Sequence, residues 1–174
     1  MLLPGNLRRD IALLGAFCFF LSTIEYMIPK PMPFLRIGIA NLPVMLALDI
    51  FPFPAFFILL VLKILGQALI TGTLFSYIFL FSLTGTTLSA LSMYTLRRLL
   101  GQKHLGFIGL GILGAMVSNL SQLTLAWIFI FKDAVFYIAP PFLFTGLISG
   151  LGLGIFCELF CSRSQWYTIR KNNI

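Results

Sequence analysis

Long apolar runs separated by short charged connections constrain the fold of this chain more than any other feature. Hydrophobic residues make up 59% of the 174 residues. Charged residues make up only 10%, whereas soluble domains carry about 25%. A helix needs about 20 apolar residues to cross the hydrocarbon core of a bilayer. The sequence therefore predicts an all-α integral membrane protein, with one membrane domain over residues 1–174.

Short charged connections separate six apolar runs, and each run predicts one transmembrane helix. They cover, approximately, residues 11–28, 39–51, 55–70, 74–96, 107–131 and 135–160. The second run is short for a full crossing. The sixth contains Pro140 and Pro141, which predict a kink. We therefore expect a bundle of six transmembrane helices.

The positive charges predict the orientation of this bundle. The net charge of +7 would also suit a nucleic-acid-binding protein, but the charges lie in the short connections. With a cytoplasmic N-terminus, the inner segments hold eight Lys and Arg residues and the outer segments hold three. This bias follows the positive-inside rule. We therefore expect both termini in the cytoplasm, and no nucleic-acid partner.

Prolines dominate the connection between the first two runs. Pro29, Pro31 and Pro33 occupy alternate positions, and each lacks an N–H and restricts the residue before it. The charge bias places this connection, residues 29–38, on the outer side. Two interpretations are open: a lid over a ligand, or an ordinary surface connection.

Polar residues within or beside the spans fall mostly in the outer half when sequence position is converted into depth along each helix. These candidate substrate-binding residues are Glu25, Lys30, Arg36, Asn41, Lys63, Gln67, Asn119 and Gln122. Ionisable groups within a membrane usually face a partner or a cavity. The alternative is purely structural, with Lys63 paired to Glu25 and the amides bonding between helices. The cationic bias of the set favours an anionic ligand.

Small residues near the cytoplasmic end of the first run form a second candidate surface. Ala12 and Ala16 are four residues apart, with Gly15 beside them. Such spacing allows close approach of another helix, either a neighbour in the bundle or a partner protein.

The sequence shows no catalytic signature, since the single His104 and the five scattered carboxylates form no recognisable enzyme or metal site. We expect neither a catalytic residue, a bound metal nor a cofactor.

Four motifs in the same order resemble a known family. They are Glu25 with Pro29-Lys30-Pro31 and Arg36–Asn41, then Lys63-Ile64-Leu65-Gly66, then Leu83–Ser89, then Gly114–Gln122. Together they resemble the Gx transporter family, often labelled heptaprenyl diphosphate synthase component I. That family is similar to the substrate-binding S-components of energy-coupling factor (ECF) transporters. The resemblance covers about residues 20–125; Lys63 stands where arginine is commoner, and Ser118 where histidine often precedes the asparagine.

The resemblance implies a six-helix S-component in the cytoplasmic membrane of a bacterium. Such a subunit captures a small molecule outside and delivers it by toppling, in complex with a transmembrane coupling subunit and two ATPase subunits. The segment Ala12–Ala16 fits the alanine motif through which S-components contact the coupling subunit. The family label and the abundance of Phe suggest an isoprenoid- or quinone-related ligand, and a vitamin-like compound is the alternative. Two rival interpretations are an accessory membrane subunit of polyprenyl diphosphate synthesis and a structural membrane protein without a ligand.

Overall fold

The computed structural model describes residues 5–28 and 38–172, and all regular structure in these residues is helical. Seven α-helices follow one another within the described residues. They are α1 Gly5–Met27, α2 Leu42–Ile50, α3 Phe53–Thr71, α4 Tyr77–His104, α5 Phe107–Ala126, α6 Val135–Arg163 and α7 Gln165–Asn172. A 3₁₀ turn, Ile39–Asn41, precedes α2, and a π-helical turn, Trp127–Phe131, follows α5.

Four helical stretches of the described chain are long and apolar enough to cross a membrane. They are Gly5–Met27, Phe53–Thr71, Tyr77–Gly101 and Phe107–Arg163. Large hydrophobic side chains such as Phe20, Phe136 and Phe144 are more than half exposed on their surfaces, as expected where a helix faces lipid. The prediction of an all-helical membrane protein is confirmed. The count of six spans and the cytoplasmic placement of the termini stay predictions.

The last of these stretches folds back on itself, because α5 and α6 pack as an antiparallel pair. A Cβ atom placed on Gly111 would lie 2.3 Å from the carbonyl oxygen of Gly150. One placed on Gly154 would lie 2.6 Å from the Cα atom of Ile108. The two backbones therefore touch along a seam of glycines, which is the close approach that small residues permit.

Contacts between the other helices show that successive helices alternate in direction. Along α1 and α3, Gly15 faces Leu62 and Phe19 faces Gly66, so these two helices run parallel. The chain must therefore turn back between them, and α2 lies on that return. The contact of Phe56 with Tyr94 and the bond from Lys63 to Thr86 show that α4 runs antiparallel to α3.

The predicted second span is a short helix at the centre of the bundle. With the preceding turn it covers Ile39–Ile50, about 18 Å at 1.5 Å per residue, against about 30 Å of hydrocarbon. Val44, Leu46 and Leu48 are each 1% exposed, and Ala47 is fully buried. A helix that is apolar on every face requires burial on every face, and α2 obtains it from the surrounding helices.

Several predicted boundaries differ from the observed ones, and α1 already begins at Gly5 rather than at residue 11. The fourth helix continues past residue 96 to His104, with a break at Gly101, whose φ of 72° lies in the left-handed region. The sixth helix continues through Pro140 and Pro141 to Arg163. Prolines five and six residues after its first residue still remove N–H donors, but the helix accommodates them without ending.

Two glycines of α6 allow a test of the glycine seam. We expect Gly154→Ala to lower the free energy of unfolding by about 2 kcal/mol, because the added methyl group meets the α5 backbone. The control is Gly152→Ala, since a Cβ atom there meets nothing within 4 Å. Alanine is about 1 kcal/mol better than glycine within a helix, so this control should be neutral or stabilising. Unfolding in detergent micelles measures both; equal losses would contradict the seam.

Candidate ligand-binding site

A cavity of about 40 Å³ lies inside the bundle and begins at the end where α1 and α3 finish, with room for roughly three water molecules. Nine of its eighteen lining residues carry polar or charged side chains, and they come from α1, the turn before α2, α3, α4, α5 and α6. These nine are Glu25, Asn41, Lys63, Gln67, Thr86, Ser89, Ser118, Asn119 and Ser149. The bundle thus surrounds a polar pocket with apolar helices.

Five of the eight residues predicted to bind substrate line this cavity: Glu25, Asn41, Lys63, Gln67 and Asn119. Gln122 does not line it, but its Nε2 atom donates a hydrogen bond of 3.1 Å to Oγ of Ser118, which does. Lys30, Arg36 and the prolines of the predicted lid lie outside the described residues.

Lys63 supplies a cationic group to the described part of the cavity wall. Its side chain comes from α3 and the residue is only 3% exposed. The Nζ atom donates to Oδ1 of Asn41 at 2.6 Å and to Oγ1 of Thr86 at 3.4 Å. A buried ammonium needs such partners, because burial without them costs several kcal/mol. Lys63 therefore ties α3 to the start of α2 and to α4.

Glu25 holds the segment that leads into α2. Its carboxylate is 1% exposed, and its two oxygens accept from the backbone N–H groups of Gly38 at 3.1 Å and Ala40 at 3.3 Å. The first N–H groups of a helical segment lack intrahelical partners and form its positive end. Gly38 adopts a left-handed φ of 82° at this point, which glycine accepts without strain. Glu25 thus caps, from α1, the turn that begins the central helix.

Asn119 fits the structural interpretation raised by the sequence, whereas the hydrogen bond from Gln122 to Ser118 stays within α5. Nδ2 of Asn119 donates to the carbonyl of Phe142 at 3.0 Å, which links α5 to α6. A Cβ atom on Gly146 would lie 1.9 Å from that nitrogen, so a glycine is needed opposite it. A Cβ atom on Gly85 would similarly lie 2.8 Å from Nε2 of Gln122. Asn119 therefore combines an interhelical bond with a place in the cavity wall.

Thr86, Ser89, Ser118 and Ser149 also line the cavity, although the sequence analysis did not propose them. Their hydroxyl groups are common in transmembrane helices, where they usually bond to their own backbone. Thr86 and Ser89 lie within the motif Leu83–Ser89, and Ser118 lies within the motif Gly114–Gln122; these motifs were the available signals.

The small residues of the predicted partner surface divide between two faces of α1. Ala12 and Ala16 are exposed. Gly15 is buried, and a Cβ atom there would lie 3.8 Å from Leu62 on α3. Gly15 therefore serves packing within the bundle, whereas Ala12 and Ala16 are available at the surface.

A charged cluster that the sequence analysis missed lies at the opposite end of the bundle. Asp49 at the end of α2 accepts from Nε of Arg97 at 2.8 Å, and from its Nη2 at 2.6 Å. Tyr167 on α7 donates its hydroxyl to Asp49 at 2.7 Å, and Arg97 also donates to the carbonyl of Leu105. Burial, with the bond to Asp49, raises the pKa of Tyr167, so its hydroxyl stays protonated and can donate.

Within the described ranges, residues 5–28 and 38–172, no group of three or more His, Cys, Asp or Glu residues could hold a metal ion.

The family model of heptaprenyl diphosphate synthase component I matches residues 14–160. The chain belongs to this family. The matched range includes every residue that lines the cavity, as well as Asp49 and Arg97. The family label predicted from the motifs is therefore confirmed. Neither the curated proteins nor the solved structures contain a match to the chain.

The two backbone bonds accepted by Glu25 give a prediction for local stability. In Glu25→Gln one oxygen is replaced by an NH₂ group, so one N–H of the pair Gly38 and Ala40 loses its acceptor. Hydrogen bonds to charged groups contribute about 1.5–3 kcal/mol. We therefore expect amide exchange over residues 38–41 to accelerate at least tenfold, as measured by hydrogen–deuterium exchange. Ser22→Ala, one turn earlier and equally buried, is the control; an unchanged exchange rate in Glu25→Gln would contradict the capping role.

The charged cluster gives a prediction for global stability. Arg97→Met leaves Asp49 buried without its cation, which should lower the free energy of unfolding by about 3–5 kcal/mol. Arg98→Met is the matched control, because this neighbouring arginine is exposed. The double variant Asp49→Leu with Arg97→Met should be more stable than Arg97→Met alone, since it removes the uncompensated charge. Denaturant unfolding in micelles tests this, and similar losses for both arginine variants would refute it.

Proposed function

We propose that this family member is the substrate-binding S-component of an ECF-type importer in the cytoplasmic membrane of a bacterium. In this proposal it captures a small anionic molecule outside the cell. It then delivers that molecule by toppling within a complex of a transmembrane coupling subunit and two ATPase subunits. The observation that carries the proposal is the polar cavity, with the buried ammonium of Lys63 in its wall, inside a bundle with an apolar surface. Ionisable groups within membrane helices commonly mark a substrate pathway.

The distribution of charge supports placing this cavity toward the outside. Asp10 and Glu25 are fifteen residues apart on α1, about 22 Å along the helix axis. Asp10 pairs with Arg170 of α7 at 3.1 Å, and Glu25 lines the cavity. The basic residues of α1, α4 and α7 gather at the Asp10 end, which the positive-inside rule favours for the cytoplasm. In this orientation α1 and α3–α6 would cross the membrane, and α2 would be a short second segment that is shielded from lipid by its neighbours and does not cross the whole bilayer.

The exposed face of α1 supports an interaction with the coupling subunit. Ala12 and Ala16 are exposed on this face, with the 60% exposed ring of Phe20 one turn further along. Small residues at such spacing allow a second helix to approach closely within a membrane, where association depends on packing. Ala12 and Ala16 lie near the Asp10 end of α1. In this orientation that end would face the cytoplasm, where the ATPase subunits lie.

The family name favours a second candidate, an accessory membrane subunit of polyprenyl diphosphate synthesis. The two candidates differ in the partners that they require. An S-component needs a coupling subunit and ATPases, whereas the accessory subunit needs a prenyl synthase subunit.

Purification of the tagged full chain from its own host membranes tests the first candidate. We expect the coupling subunit and both ATPases to be recovered in mild detergent and identified by quantitative mass spectrometry. Ala16→Leu should reduce their recovery at least tenfold, because the larger side chain keeps the partner helix away, while the bundle is unaffected at this exposed position.

Gly152→Leu is the matched control, since Gly152 is also exposed and has open space beside it. It should leave the complex intact. Full recovery of the complex with Ala16→Leu would refute the docking face. Recovery of a prenyl synthase subunit in place of the ATPases would favour the second candidate.

A further inference from the structure

One polar atom in the cavity wall has its hydrogen-bonding capacity unused. In the described parts of the chain, three buried side-chain atoms have no hydrogen-bond partner: Oγ of Ser22, Oε1 of Gln67 and Oε1 of Gln122. Of these three residues only Gln67 lines the cavity. Buried acceptors without a donor are uncommon and costly, and each needs an explanation.

Gln67 lies one helical turn from Lys63 on the same face of α3. Four residues correspond to about 6 Å along the helix axis, and residues four apart are neighbours on a helix surface. Gln67 is 5% exposed and Lys63 is 3% exposed. A cationic donor and an unused acceptor therefore belong to two side chains that line one cavity and leave α3 about 6 Å apart along its axis. The terminal torsion of a glutamine is broad, so its amide oxygen can turn toward a ligand.

The rest of the cavity wall disfavours a long apolar ligand. Half of the lining residues are polar, and Ser89, Ser118 and Ser149 add hydroxyl groups from three different helices. A prenyl chain would cover these groups without bonding to them, at a cost in free energy. The enclosed volume of about 40 Å³ is far too small for a chain of several isoprene units, and a short acid enters it only if side chains of the wall move.

We propose that the ligand is a small carboxylic acid with an N–H or O–H donor about 6 Å from its carboxylate. The carboxylate lies against Lys63, where a charge-assisted hydrogen bond holds it. The donor group bonds to Oε1 of Gln67. This inference rests on the proposed capture of an anionic ligand, and it adds the second recognition element and the spacing between the two.

A matched pair of probes tests the donor. Butyrate and 4-hydroxybutyrate share a carboxylate and a chain, but only the second carries a hydroxyl at about the required distance. Binding to the purified full chain in micelles is measured from the concentration dependence of its Tm. We expect 4-hydroxybutyrate to bind about tenfold more tightly, because butyrate leaves the buried acceptor unpaired.

Three variants test which side chains cause the difference in affinity between the two acids. Gln67→Leu should reduce the preference for 4-hydroxybutyrate to less than twofold. Ser22→Ala should keep the full preference, because its buried hydroxyl lies outside the cavity. Lys63→Met should weaken the binding of both acids at least tenfold, since both use the ammonium. Far-ultraviolet circular dichroism checks that each variant keeps its helical content.

Farnesyl diphosphate serves as the prenyl probe and separates the possible failures. Equal affinity for the two acids, unaltered by Gln67→Leu, would overturn the donor inference and leave the proposed capture of an anion in place. Binding of farnesyl diphosphate alone would overturn the inference in favour of a prenyl ligand. Failure of all three probes to shift the Tm would overturn both the inference and the proposed capture.

Discussion

The cost of burying polar groups among apolar helices governs the arrangement of this chain. Hydrocarbon offers no water to satisfy a donor, an acceptor or a charge, so each must find a partner within the protein. Lys63 and Glu25 meet this requirement through Asn41, Thr86 and the backbone between Gly38 and Ala40. Because these partners belong to other segments, the same bonds that satisfy the buried charges also join four parts of the bundle at the cavity.

The central helix α2 connects the two polar regions. Asn41, just before it, contacts the cavity lysine, and Asp49, near its end, holds Arg97 and Tyr167. The residues between these points are almost completely buried. A short helix can lie there without crossing the whole bilayer, because neighbouring helices rather than lipid surround it. Its polar ends then determine which parts of α3, α4 and α7 gather around it.

Much of the fold was predictable because its signals are local. Apolar run length predicted α3 and α5 closely: residues 55–70 against the observed Phe53–Thr71, and a start at Phe107 in both cases. Sequence position could be converted into depth along each helix, because a helix has a fixed rise per residue. This conversion predicted five of the residues that line the cavity. The signals failed where a partner lies far away in sequence. Asp49 and Arg97 are 48 residues apart, and neither is recognisable as half of an ion pair from its own neighbours.

By itself, the sequence determined the helical class, the apolar outer surface, the family and most of the polar residues that meet at one end. These follow from composition, periodicity and short motifs, which act over a few turns of a helix. Only the tertiary structure decided that Glu25 caps the start of α2, that Gly146 makes room for Asn119, and that Gln67 keeps an unused acceptor in the cavity wall. Each of these depends on the packing of one helix against another, and a buried polar group has no defined partner until that packing exists.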